Sequence, residues 1–178
     1  MVDEKEFHRC CGEILRKRAA VEDWLEFFLS HYFCRLHTYR TFMFTELIAT
    51  RMNFNQKKVV FHKICKRENV DKEKLESIKK SIEKVQEIGN DVAHNEAFID
   101  SPTQENIALR HKRAIWKKED RLEVNDILVQ EVKKNYTTAI KGLLDLHEEL
   151  DKKDKLLHPF NSNAFVKIVK KEDKFSDN

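Results

Sequence analysis

The sequence predicts an all-α fold, a helical bundle of about five helices, and three observations carry the prediction. Turn-forming residues are scarce: the 178 residues include three Gly and two Pro. An all-β fold uses such residues about every 8–12 positions. Hydrophobic residues (40%) and charged ones (37%) are also interleaved, which describes amphipathic helices, not disorder. Finally, a helix-start signal occurs three times. Phe54-Asn55 precedes Val59, Val70-Asp71 precedes Leu75, and Val124-Asn125 precedes Val129. Each reads as a hydrophobic staple around an Asn or Asp N-cap.

In chain order, Ile14, Val21, Leu25, Phe28 and Tyr32 trace one face of a first helix over 3–35. Its aromatic stripe (Phe27, Phe28, Tyr32, Phe33) reads as core, not as a cofactor box. Phe42, Leu47 and Ile48 indicate a second helix over 38–52, and a third opens at Asn55. From Lys72, Leu75, Ile78, Ile82, Val85 and Val92 form one stripe. From Asp126, Leu128, Val132, Tyr136, Ala139, Leu143, Leu146 and Leu150 form another. Seams of this heptad-like kind favour a bundle with shallow crossing angles. Between these two helices, 107–109 and 114–116 are short apolar pieces that fit a small β-hairpin near 105–118, with any strand confined to that region. The bundle is expected to span 1–155 as one domain, with 156–178 a basic C-terminal extension, docked or disordered.

Several function classes lose support. The formal net charge of +3 neither demands nor excludes nucleic acid. Cys10, Cys11, Cys34 and Cys65 include no C-x-x-C, and the adjacent Cys10 and Cys11 pair only under strain. Free thiols in a reducing compartment are expected. The charged N-terminus lacks a signal-peptide core, and no stretch approaches the ~20 apolar residues of a membrane span. A soluble, cytoplasmic protein with no membrane contact is the expectation. No H-E-x-x-H, Gly-rich phosphate loop or G-x-S-x-G occurs. His8-Arg9-Cys10-Cys11 has no second ligand pair at zinc-like spacing. Neither a metal nor a cofactor is expected.

One constellation departs from good helix-forming sequence: Gly89-Asn90-Asp91-Val92-Ala93-His94. Gly alone costs about 1 kcal/mol relative to Ala inside a helix, and such breaks mark functional or strained places. In a continuous helix, Asn90 and His94 are i,i+4, with Asp91 and Glu87 on the same face. Gly89 falls within the apolar stripe, where a missing side chain permits close approach of another backbone. Alternatively, Gly-Asn-Asp ends or bends the helix and His94 is an ordinary surface histidine.

The helix order, the aromatic end of the first helix (Trp24-Leu25-Glu26-Phe27-Phe28) and Gly-Asn-Asp-Val-Ala-His closing a long helix resemble the HEPN superfamily. Its members commonly carry Arg-Asn-x-x-Ala-His there. The resemblance covers about residues 5–150. It implies a dimeric helical bundle, RNA as partner, and a defence or toxin–antitoxin setting. Many members are metal-independent ribonucleases, in which an arginine steadies phosphate charge and a histidine shuttles a proton. His94 matches the histidine, Ala93 the residue before it and Asn90 the residue after the arginine, but Gly89 stands at the arginine position. None of the other seven histidines has Arg five to seven residues upstream. The family geometry would turn Gly89 toward a polar dimer groove.

A cation from elsewhere would restore the pair. Residues 110–121 hold Arg110, Lys112, Arg113, Lys117, Lys118 and Arg121 against Glu119 and Asp120, a local excess of +4, with Trp116 among them. Basic residues interleaved with an aromatic suit phosphate contact and base stacking. The alternative is a solvated hairpin with Trp116 packed on the core. The leading expectation is a non-catalytic RNA-binding or protein-interacting homodimer with a degenerate motif. The others are a ribonuclease using His94, Asn90, Asp91 and a borrowed cation, and a purely structural helical partner.

Overall fold

The computed structural model describes residues 4–34, 39–94, 96–99, 107–110 and 121–153. Among them are five α-helices: α1 (Glu4–Phe33), α2 (Tyr39–Leu47), α3 (Phe54–Arg67), α4 (Lys72–His94) and α5 (Asp126–Lys152). A 3₁₀ turn, Ala49–Arg51, follows α2. Three short strands, β1 (Glu96–Ile99), β2 (Ile107–Arg110) and β3 (Arg121–Glu123), lie between α4 and α5. The fold is a helical bundle with this one small antiparallel sheet, and no helix among the described residues is long and apolar enough to cross a membrane.

Capping explains where three helices begin. Asp71 accepts the Lys74 amide at 2.8 Å, and Asn125 accepts that of Leu128 at 3.1 Å. Val70 and Leu75, like Val124 and Val129, are buried beside their caps, so both staples form as expected. The α3 start differs. Its N-cap is Asn53, not Asn55: Asn53 accepts the Gln56 amide at 2.9 Å, and the Gln56 side chain accepts the Asn53 amide at 2.8 Å. This reciprocal box satisfies two otherwise orphaned amides. Val59 is 54% exposed and staples nothing.

The strands also depart from expectation. β2 lies in the anticipated hairpin region, but its partners are β1 and β3, outside it. The register pairs Glu96 with Arg110 and Arg110 with Arg121. Three strands are more stable than an isolated two-stranded hairpin. Residues 114–116 and the 156–178 extension lie outside the described residues.

The helical contacts fall into two units. One contains residues 1–24 and 71–140. In it Arg9 of α1 bonds Asp126 of α5, and the buried Lys17 lies 4.4 Å above the Tyr136 ring. Lys84 of α4 is 3.5 Å from Glu131 of α5. Ile14 and Val21 of α1, Ile82 and Val85 of α4, and Val132 and Ala139 of α5 are among its core residues.

The other unit contains residues 25–70 and 141–178. There Phe28 meets Phe61 edge-on at 5.1 Å, and Lys57 donates to Glu26 at 2.8 Å in a nearly buried ion pair. Tyr32 donates to Glu68, and the Ser30 and Thr45 hydroxyls are 2.9 Å apart. Of the aromatic stripe expected in the core, Phe28 is buried and Phe27 and Tyr32 are half-buried. Phe33 is exposed, because α1 ends there. None of the four cysteines is in a disulfide; Cys10 and Cys65 are buried, Cys11 and Cys34 half-buried. Burial is the main cause that pushes the Cys11 thiol up to about 11.

Candidate nucleic-acid interface

α4 runs without interruption through Gly89, Asn90 and Asp91 to His94, and Gly89 has no left-handed backbone angle. The glycine is therefore not a helix stop. It is buried, and a Cβ there would lie 2.5 Å from Arg18 Cδ, 2.9 Å from Cγ and 2.8 Å from Cβ. Two expectations are corrected here. What approaches Gly89 is an α1 side chain, not another backbone, and the position does not open onto a polar groove. The aliphatic stem of Arg18 fills the space that any larger residue at 89 would need.

From that stem the guanidinium reaches the rim of the α1–α4 contact. Its Nε donates to Asn90 Oδ1 at 3.1 Å, and Nη1 lies 3.6 Å from a Glu22 carboxylate oxygen, one turn along α1. The Arg18 side chain is 26% exposed. Asn90 and Asp91 are half-buried, while Ala93 and His94 are exposed. His94 stands one turn beyond Asn90, about 6 Å along the helix axis. Glu87 is turned to a different use, 3.9 Å from Lys84.

The helix end leads almost directly into the sheet. β1 begins two residues after His94, and its first residue, Glu96, is level with Arg110 and, across β2, with Arg121. The two ends of the basic stretch thus share one register position near the His94 end of α4. Lys112, Arg113, Trp116, Lys117 and Lys118 lie outside the described residues.

Arg18 was not legible as part of this group. Gly89 within an apolar stripe signals that something bulky lies against it, but only the pairing of α1 with α4 identifies that neighbour. The chemistry available is anion binding. A guanidinium has five N–H donors in a fixed fork suited to oxyanions, and the Asn90 bond fixes the plane of this one. Glu22 competes for its donors.

A second polar cluster, also unforeseen, belongs to the other unit. His31 Nδ1 and His147 Nε2 are 2.9 Å apart, and both rings are buried. Phe27 packs 3.7 Å from the His31 ring and 5.7 Å from that of His147. Burial holds the His147 imidazole below its ordinary range, against the opposing charges of Asp151 and Glu148. In this contact one ring donates and the other accepts, which serves His147 Nε2 but not its buried Nδ1. Among the described residues, no three His, Cys, Asp or Glu side chains gather closely enough to hold a metal ion.

No family model matches this chain, and neither a curated protein nor a solved structure does.

Proposed function

We propose that this chain is a HEPN-like RNA-binding module that contacts backbone phosphate at the α1–α4 rim, with Arg18, Asn90 and His94 as its polar surface. The observation that carries the reading is the Arg18 side chain laid over Gly89 and bonded to Asn90. It supplies, from another helix, the guanidinium that α4 lacks at position 89. Arg110 and Arg121 share one register position in the sheet that follows α4. Homodimerisation, a protein partner and a defence or toxin–antitoxin setting are further proposals from the resemblance.

Binding is preferred to catalysis because the Arg18 guanidinium is shared between Asn90 and Glu22. A second reading, a metal-independent ribonuclease, is favoured by the position of that guanidinium one turn before His94. Fluorescence anisotropy with a single-stranded RNA oligomer tests both. Binding with Kd on the order of 10⁻⁶–10⁻⁴ M, falling with salt, is expected. Arg18→Ala should weaken it several-fold, with no cleavage. Cleavage that His94→Ala abolishes would favour the nuclease. No binding, or binding that Arg18→Ala leaves unchanged, would leave a structural partner protein as the better reading.

A further inference from the structure

Helix α2 has nine residues and none of them is buried. Tyr39 is 75% exposed, Phe42 60% and Leu47 50%; with the half-buried Met43 they follow the i, i+3, i+4, i+8 spacing of one helical stripe. A different side of α2 makes its attachments: the Phe44 and Phe33 rings are 5.4 Å apart, and Thr45 meets Ser30. Isolated helices shorter than about 12–15 residues are marginal in water. A stripe this apolar on so short a helix calls for a cover. The charges of α2 have a pattern of their own. Arg40 and Glu46 are the only two, both are exposed, and neither has an ion-pair partner among the described residues. They stand three residues either side of Met43, the midpoint of the helix.

We infer that the cover is α2 of a second copy of this chain, paired antiparallel about a two-fold axis at Met43. In that arrangement Tyr39 of each copy stands level with Leu47 of the other, Met43 meets Met43, and Arg40 stands level with Glu46. One register thus matches the apolar residues and answers both charges. A parallel pairing would instead set Arg40 beside Arg40 and Glu46 beside Glu46, and like charges brought together are unfavourable. A partner helix of one charge sign would leave either Arg40 or Glu46 unmatched. The area available sets the strength. An aromatic side chain offers about 150–250 Å², so the exposed parts of Tyr39, Phe42 and Leu47 supply on the order of 400 Å² per copy. Two such stripes fall short of the ~1,200 Å² at which stable interfaces begin, which makes the pairing a weak and reversible one. It uses none of Arg18, Asn90 and His94, which belong to the other unit, so it stands or falls apart from the RNA-binding reading.

The test is sedimentation equilibrium of the full chain. The parent should dimerise reversibly with Kd on the order of 10⁻⁶–10⁻⁴ M. Phe42→Asp, at an exposed position, should weaken the dimer about tenfold or more. Arg40→Glu and Glu46→Arg should each weaken it about threefold or more, since each sets like charges level with one another. Mixed in equal amounts, these two variants should associate at least as tightly as the parent, because every charge then meets its opposite. That recovery also shows that both variants are folded. A parent chain monomeric throughout that concentration range, a dimer that Phe42→Asp leaves intact, or a mixture no tighter than the separate variants would each overturn the inference.

Discussion

Helix α1 presents Arg18 to Asn90 in one unit and His31 to His147 in the other, and the two contacts work under opposite conditions. The arginine is partly exposed, its charge is shared with Glu22, and its stem uses a gap left by Gly89. The histidines are buried beside aromatic rings, and their hydrogen bond replaces only part of the hydration that the rings lose. A polar group at a rim can exchange its protein partner for a ligand at small cost. A polar group in a core cannot, because an unmet donor or acceptor there costs about 1–3 kcal/mol. Burial, more than residue type, therefore separates the candidate binding surface from the structural pair.

The sharpest way to break this contrast is His147→Ala. It removes a buried ring and the bond to His31, so a stability loss of about 3 kcal/mol is expected from urea unfolding. A loss below about 1 kcal/mol would show that the pair does not hold its unit together.

Acid should separate the two contacts next. Burial lowers the folded-state pKa of His147 from 6.5, so the unfolded chain takes up its proton first as the pH falls. The contribution is complete above about pH 6.5 and is lost below it, with a slope of up to ~1.4 kcal/mol per pH unit. Hydrogen exchange from pH 7.5 to 5 should therefore show α3 losing protection before α4; the reverse order would contradict the assignment.

The smallest expected effect sharpens the rim side. In Gly89→Ala, the new Cβ collides with the Arg18 stem, an overpacking cost of about 1–3 kcal/mol. The gain in helix propensity offsets about 1 kcal/mol. A net loss near 1 kcal/mol is expected. Removing Arg18 beyond its Cβ, as Arg18→Ala, relieves the contacts to Cγ and Cδ but leaves the 2.8 Å approach of Cβ. The penalty should then fall by about half. Additive effects within about 0.3 kcal/mol in the double-mutant cycle would show that the two side chains do not compete for this space.

Much of the helical framework was legible because its signals are local. Asp71 and Asn125 lie within four residues of the apolar groups that staple them. Asn53-x-x-Gln56 was equally present in the sequence, but pairing Phe54 with Val59 selected the wrong asparagine. β1 escaped detection because four residues directly after a helix carry too little periodicity to distinguish strand from helix. The motif at Asn90 and His94 was visible as a propensity break. Its apparent cation was not, because Arg18 lies 72 positions away in the chain. His31 and His147, separated by 116 positions, were invisible for the same reason: no local pattern encodes the meeting of two distant histidines.

That separation has a consequence for synthesis. Helix α1 leaves the ribosome well before α5, and it makes contacts with α5 in both units: Arg9 with Asp126, and His31 with His147. At translation rates of about 5–20 residues per second, roughly ten seconds pass before the α5 partners of α1 emerge. During that interval Phe28 and His31 have no His147 to pack against. A nascent chain of this kind depends on its surroundings to keep one apolar face from premature association.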